Sequence, residues 1–209
     1  MGYTKKDWEA RIRERTDMST RLSHLTRPGR NGEAAQEILL KILLERQLIG
    51  STTSQGFICG DTPAVCFQDA PLYSIAQNTL FEQKMREDGK SSVVRYKPIG
   101  VAFTKPYLFM KGARPVVYDD SEIAKKILLK SEWWRIVRLD LSDEKASVDW
   151  THEREWRHPG NLDFDLSEVT LLAVDNTAIS QIAALYRKKT GNDIRDEVGG
   201  IVTMRDVLY

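Results

Sequence analysis

The sequence predicts an α+β protein, and three observations lead to that class. Segments with helical spacing of apolar residues lie early in the chain and again near its end. Between residues 92 and 174, short strand-like segments follow one another without regular intervening helices, which argues against a doubly wound sheet. The 209 residues are 41% hydrophobic and 29% charged, a composition typical of a globular domain with a sizeable core.

The predicted helices differ in character. The N-terminal one is charged, whereas the second has apolar side chains at helical spacing and is expected to pack on a core. The last should begin with Asn176 as its N-cap and end before a glycine. Helices are predicted for residues 5–18, 33–47, 71–88 and 176–190.

The predicted strands are short and concentrated in the middle of the chain. In the first of them, "RLSHLT", Leu22, His24 and Thr26 alternate with Arg21, Ser23 and Leu25, so the two sets should lie on opposite faces. Strands are predicted for residues 21–26, 64–67, 92–96, 99–104, 115–118, 133–141, 153–157, 169–174 and 201–209. Without repeats or composition shifts, residues 1–19 are expected to form a helical arm and residues 20–209 a single domain.

Charge and hydropathy exclude several classes of protein. The net charge of +1 gives no global field for nucleic acid or an anionic membrane, although a local basic face remains compatible with it. The N-terminus lacks the apolar core of a signal peptide, and the longest apolar stretches are too short to span a bilayer. We therefore expect a cytoplasmic protein without a membrane anchor, in which Cys59 and Cys66 are reduced, mostly buried thiols.

The common motifs of nucleotide-binding and hydrolytic enzymes do not occur. The chain has no GxGxxG, Walker A, HExxH or GxSxG sequence. A metal site at the histidines of "THEREWRH" is disfavoured, because on a strand His152 and His158 would lie on the face opposite Glu153 and Glu155. We predict no metal site.

The segment "DWTHEREWRH", residues 149–158, concentrates ionisable and aromatic side chains. On a strand, Glu153 and Glu155 would share one face about 7 Å apart, at about 3.3 Å of rise per residue. Two such carboxylates suit chemistry at a sugar, where one stabilises an oxocarbenium-like carbon and the other orients an attacking group. The alternative is a surface strand whose charged residues pair with neighbouring strands.

Three motifs in order resemble known families. The segments "AVCFQDAPL", "YKPIGVAFTKPYLFMKGARPVVYDD" and "WTHEREWR" resemble abortive phage-resistance proteins of the AbiGi type. More distantly, "SHLT" and the following "ILLERQLIGS" resemble the start of DarT-like ADP-ribosyltransferase toxins. The resemblance covers about residues 20–175. The chain departs from the AbiGi pattern at Gln68, where threonine or serine is usual, and at "YKPIG", which replaces a Tyr-Gly start.

For the fold and the chemistry, the resemblance implies an ADP-ribosyltransferase-like split mixed β-sheet with flanking helices around an NAD cleft. It makes Glu155 the catalytic glutamate that holds the nicotinamide ribose, and Glu153 the residue that positions the acceptor. Trp156 and Arg157, beside these carboxylates, are the candidates for acceptor binding.

The same resemblance indicates which residues would bind NAD, which would be a substrate. It places two of them on the first strand of the cleft. His24 and Thr26 would contact the adenosine side, and Phe67 or Tyr96 would stack on nicotinamide. Arg21, which flanks this strand, could supply a cationic donor to the pyrophosphate.

These implications lead to an expected function. The chain is expected to be an ADP-ribosyltransferase effector of a toxin–antitoxin or phage-defence system that modifies a macromolecule, with a DNA or RNA base as the preferred acceptor. Basic residues of the N-terminal helix, among them Lys5 and Arg11, would then contact phosphates. Two alternatives remain open: an NAD glycohydrolase of the same fold, and a non-catalytic member that binds an antitoxin, chaperone or phage-sensing partner.

Overall fold

Helices and short strands are intermixed along the chain in the computed structural model, which describes residues 2–29, 31–55, 58–92, 94 and 97–208. The protein is of mixed α+β class with several sheets and flanking helices, as the sequence predicts. The helices are α1 (Lys5–Arg13), α2 (Ala35–Glu45), α3 (Leu72–Glu87), α4 (Lys105–Met110), α5 (Ser121–Ile127), α6 (Asn176–Thr190), α7 (Ile194–Glu197) and α8 (Arg205–Leu208). No helix within the described ranges is both long and apolar enough to cross a membrane.

The strands are two to five residues long. They are β1 (Arg21–Leu25), β2 (Gln47–Leu48), β3 (Ala64–Phe67), β4 (Gly100–Thr104), β5 (Arg114–Pro115), β6 (Val117–Asp119), β7 (Ile136–Arg138), β8 (Trp156–Pro159), β9 (Leu162–Asp163), β10 (Thr170–Ala173) and β11 (Gly200–Thr203).

Contacts divide the chain into two compact units. The first unit contains residues 1–46, 70–104 and 164–209, and the second contains residues 47–69 and 105–163. Each β-sheet lies wholly within one unit.

The first unit is built on a four-stranded sheet with the order β1-β4-β10-β11. The pairs β1–β4 and β4–β10 are antiparallel, whereas β10 and β11 are parallel and are connected through α6 and α7. One face packs on α3, where Ala102 and Leu172 of the sheet contact Ile75 of the helix. On the other face, Ala173 packs against Ile179 of α6. The sheet is therefore covered on both sides, which explains why its central strands β4 and β10 are buried along nearly their whole length.

The described residues of the second unit form three small sheets. β8 is the central strand of a three-stranded antiparallel sheet with the order β3-β8-β5. β6 pairs in parallel with β7, and β2 pairs with β9. A small core formed by Ile58, Ala64 and Trp134, with Cys66 packed against it, lies beside β3.

Several predicted boundaries differ from the structure. The predicted strand over 133–141 is wrong in its first part, because Lys130–Arg135 form a 3₁₀ helix that buries Trp134, and only β7 is extended. The predicted C-terminal strand ends at β11 and is followed by α8. The strand predicted at 92–96 contains three residues, 93, 95 and 96, that lie outside the described residues.

The N-cap of α6 is also one residue earlier than predicted. The carboxylate of Asp175, not the side chain of Asn176, accepts the backbone N–H of Ala178 at 3.0 Å. Asp175 has extended backbone angles, as an N-cap requires, whereas the next residue is already helical. The predicted end is correct, since Gly191 closes α6 in the left-handed conformation.

His158 of β8 provides a test of pH dependence. Burial lowers its pKa below the usual 6.5, and a hydrogen bond from Nε2 to the carbonyl oxygen of Lys111, at 3.0 Å, only partly opposes this effect. Below pH 6.5 the unfolded chain therefore binds a proton that the folded chain does not, so stability must fall as pH falls. We expect the free energy of unfolding, measured in urea at pH 7.5 and 5.5, to fall less in His158→Asn than in wild type. The His152→Asn variant, which removes an exposed histidine, is measured in parallel to separate the effect of burial from the loss of a histidine as such. An equal pH effect in His158→Asn and wild type would contradict the prediction.

Candidate functional site

The segment that carries the two candidate glutamates is a turn followed by a strand, not a continuous strand. Thr151–Glu153 form a 3₁₀ turn, and Arg154 has φ 45° and ψ 51° in the left-handed region. Only Trp156–Pro159 are extended, as β8. The prediction that Glu153 and Glu155 lie on one face of a strand is therefore wrong, because the left-handed residue between them interrupts the alternation.

Hydrogen bonds within the second unit hold this turn in place. The Asp149 carboxylate accepts the backbone N–H and the hydroxyl of Thr151, at 2.8 and 2.7 Å, which lowers the pKa of Asp149. The backbone N–H of Asp69 donates to the carbonyl oxygen of Glu153 at 3.0 Å. The side chains of both glutamates are thereby placed in the protein interior, where Glu153 is 8% and Glu155 6% exposed.

Glu155 forms a buried two-point ion pair with Arg157. Arg157 Nε donates to Glu155 Oε1 at 2.8 Å, and its Nη2 lies 3.4 Å from Oε2. The remaining amino group of Arg157 donates to the carbonyl oxygens of Trp134 and Ile136, at 2.8 and 3.0 Å. Burial is the largest single influence and opposes the charge of Arg157, but the neighbouring groups, foremost the Glu155 carboxylate, together raise the pKa of the guanidinium. The pair is therefore charged and fixed in geometry.

A thiol and a phenol lie against this ion pair. Cys66 is directly opposite Arg157 in the β3–β8 ladder, and the Tyr118 hydroxyl accepts the backbone N–H of Glu155 at 2.6 Å. Burial, and secondarily the Glu155 carboxylate, raises the pKa of Cys66 well above its usual value. Burial also raises the pKa of Tyr118 to about 12. Both groups are neutral near pH 7, so Cys66 is not an activated nucleophile.

A second buried ion pair is linked to the same turn. Lys105 Nζ lies 2.7 Å from Asp69 Oδ1, and both side chains are largely buried. Gln68, at the position where the chain departs from the AbiGi pattern, is 5% exposed, and its Oε1 has no hydrogen-bond partner within the described part of the chain. The Lys105–Asp69 pair is therefore linked to the turn that carries Glu153, and these residues all belong to the second unit.

Sequence reasoning missed several residues around these two ion pairs. Asp69, Lys105, Cys66 and Tyr118 were not among the predicted site residues, although each lies in one of the segments that resemble AbiGi-type proteins. The resemblance of those segments to AbiGi-type proteins was the sequence signal that could have indicated these residues. The spacing of these residues along the chain could not show that Cys66 and Tyr118 lie beside Glu155, or that Asp69 bonds the turn at Glu153.

The candidate acceptor residues are on opposite faces of β8. Arg157 is 3% exposed and points with Glu155 into the unit, where its donors are engaged by protein groups. Trp156 is partly buried and lies on the other face, opposite Phe67 of β3 in the ladder. Phe67 is 1% exposed and is a core side chain.

The residues assigned to the adenosine side of NAD lie in the first unit. His24 is partly buried on β1, and the backbone N–H of Thr26, just after this strand, donates to the carbonyl oxygen of Ile99 at 2.8 Å. The Thr26 hydroxyl is buried and has no hydrogen-bond partner among the described residues. Tyr96 lies outside the described residues.

Arg21 is separated from His24 and Thr26 by the geometry of β1. Side chains alternate along a strand, so Arg21 lies on the face opposite these two residues. It lines a cavity on the α3 side of the sheet. The structure therefore does not bring Arg21 together with His24 and Thr26.

No metal site is formed by the described residues, in which no group of three or more His, Cys, Asp or Glu side chains is arranged to hold an ion. Comparisons of the chain with protein-family models, with curated proteins and with solved structures find no match.

Proposed function

We propose that the chain is an ADP-ribosyltransferase that transfers ADP-ribose from NAD to a macromolecule, as an effector of a toxin–antitoxin or phage-defence system. One structural observation carries the proposal: two buried carboxylates, Glu153 and Glu155, flank Arg154 in a left-handed conformation. A non-glycine residue costs about 1 kcal/mol or more in this conformation, and such strain is concentrated at functional sites. The ADP-ribosyltransferase-like fold itself is part of the proposal and rests on the resemblance to DarT-like toxins.

The chemistry assigned to Glu155 follows from its surroundings. Cleavage of the bond between nicotinamide and ribose develops positive charge at the ribose carbon, which a carboxylate held in place stabilises without reorganisation. The two-point contact with Arg157 fixes the Glu155 carboxylate, so Arg157 is proposed as a positioning residue. Glu153, on the preceding turn, is proposed to orient the acceptor.

For the first unit, we propose that His24 and Thr26 bind the adenosine side of NAD. The buried Thr26 hydroxyl supports this assignment, because a buried hydroxyl without a partner is uncommon and retains the capacity to bond a ligand. The preferred acceptor is a nucleic-acid base. The basic side chains of α1 support it, since Lys5, Lys6 and Arg11 are exposed and would contact phosphates.

A single assay with labelled NAD tests this function. Wild-type protein is incubated with NAD alone, with single-stranded DNA or RNA, and with protein extract. We expect label on nucleic acid, and we expect Glu155→Gln to lower transfer per folded molecule by about 10²-fold or more, as loss of electrostatic stabilisation predicts. Glu153→Gln should reduce transfer more than NAD hydrolysis.

The controls separate the competing outcomes. Glu144→Gln, an exposed site in the same unit, should retain full activity. Folded fractions of all variants are measured by urea denaturation. Free ADP-ribose without labelled polymer would indicate a glycohydrolase, and no turnover of NAD would indicate a non-catalytic, partner-binding protein. Unchanged transfer by folded Glu155→Gln would remove that residue from the mechanism.

A further inference from the structure

A cavity of about 250 Å³ lies within the first unit, on the face of the four-stranded sheet that packs against α3. Its lining comes from every strand of that sheet and from the first residue of α3. The residues that define it are Arg21, Leu72, Ala102, Thr170, Gly200 and Val202.

Strand register explains why these residues share a face. In the ladder, Ala102 of β4 is opposite both Ser23 of β1 and Thr170 of β10, and Thr170 is in turn opposite Gly200 of β11. Residues that are directly opposite in a sheet point to the same side, and Arg21 has the same parity as Ser23. The cavity is therefore a feature of the sheet surface and does not depend on a loop.

Small residues create the space. Gly200 has no side chain on this face, and a Cβ there would lie 3.6 Å from Thr170 Oγ1, an ordinary contact. Ala102 is also small, whereas Leu72 and Val202 form apolar walls. The recess is thus apolar over most of its surface and retains room that a larger residue at position 200 would fill.

Two polar groups line the cavity without protein partners. The Arg21 guanidinium takes part in no ion pair or side-chain hydrogen bond within the described ranges, although it is only partly exposed. Thr170 is 6% exposed, and its hydroxyl likewise forms no hydrogen bond with the described residues. Both groups line the recess and can therefore bond a ligand that enters it.

The charge and shape of the cavity specify the ligand. A guanidinium has a planar fork of donors that matches a carboxylate at two points, and the apolar walls suit a hydrocarbon body. We propose that this cavity binds a small carboxylate with an apolar body, with Arg21 pairing with the carboxylate and Thr170 donating a hydrogen bond to the ligand. This site goes beyond the proposed function, because Arg21 lies on the face of β1 opposite His24 and Thr26.

The test uses the full chain, labelled with ¹⁵N, and hexanoate as the probe. We expect hexanoate to shift the amide signals of Gly199 and Gly200, which line the cavity. Hexanamide, which keeps the body but lacks the charge, should bind about tenfold more weakly or worse, as loss of a charge-assisted hydrogen bond predicts. Inorganic phosphate, which has charge but no apolar body, should shift these signals only at much higher concentration.

Three variants locate the binding. Arg21→Met should weaken hexanoate binding about tenfold or more, whereas Arg27→Met, an exposed arginine outside the cavity, should not change it. Gly200→Val should block binding by filling the recess while the amide spectrum remains that of a folded protein. Equal binding of hexanoate and hexanamide, equal binding of phosphate, unchanged binding in Gly200→Val, or no shifts with hexanoate would each overturn the proposal. None of these results depends on NAD turnover, so the outcome is independent of the proposed function.

Discussion

Glu155→Gln should lower the free energy of unfolding of the second unit by about 3 kcal/mol. The substitution preserves shape but removes the charge that compensates Arg157, which is 3% exposed. Loss of one member of a buried ion pair typically costs about 3–5 kcal/mol, because the other charge remains in a poorly solvated site. Arg157→Met should cost at least as much, since the carbonyl oxygens of Trp134 and Ile136 also lose their donor.

Urea denaturation followed by tryptophan fluorescence measures this effect. Four of the five tryptophans, at positions 133, 134, 150 and 156, belong to the second unit, so the signal reports mainly on its unfolding. The double variant Glu155→Gln/Arg157→Met should lose less than the sum of the single variants, because neither charge is then left alone.

The matched control for this prediction is Glu144→Gln, which removes an exposed carboxylate from the same unit. It should change the free energy of unfolding by no more than about 0.5 kcal/mol. Additive single and double variants would show that the two side chains do not interact. The result also determines how activity data are interpreted, because activity lost through unfolding must be separated from activity lost through chemistry.

Gly100→Ala should be strongly disruptive in the first unit. A Cβ at Gly100 would lie 2.1 Å from the carbonyl oxygen of His24 and 3.0 Å from Leu25 Cα. These contacts are backbone atoms of β1, which cannot rotate away, so the β1–β4 pair must separate. We expect the free energy of unfolding to fall by about 3 kcal/mol or more, which is at the upper end of the usual cost of adding volume to a well-packed site.

Gly200→Ala provides a matched comparison in the same sheet. A Cβ there makes only an ordinary contact, so the substitution should change stability by no more than about 1 kcal/mol. Thermal melts by circular dichroism, with amide spectra of both variants, measure the difference. A Gly100→Ala variant as stable as Gly200→Ala would show that β1 does not hold the position that places His24 beside Val101.

Local sequence patterns were sufficient for much of the fold. The strand predicted at 64–67 is β3 residue for residue, and the alternation in "RLSHLT" correctly places Arg21 on the face opposite His24. The prediction of β3 succeeded because its residues form a short apolar run between polar segments, and that of β1 because side chains on any strand alternate between its faces; both features are visible in a short window. The strand–helix–strand order at the end of the chain was predictable for the same reason.

The candidate site shows where such patterns are insufficient. "EREWR" has the composition of a strand, yet Arg154 is left-handed and Glu153 lies on a 3₁₀ turn. One of the bonds that fix this turn comes from Asp69, more than 80 residues earlier in the chain. A local propensity is weak compared with several tertiary hydrogen bonds, and those bonds are invisible until distant segments are placed together.

The sequence by itself determined the α+β class, the four longest helices, most strands, and the concentration of carboxylates at residues 153–155. Only the tertiary structure decided that Glu155 is paired with Arg157 in the interior, and that Arg21 faces a cavity with Thr170. The physical reason is that the cost of a charge depends on its surroundings: the same glutamate or arginine is inexpensive in water and requires a precise partner when buried. Those surroundings are supplied by residues far apart in the chain, such as Trp134 and Ile136 around Arg157.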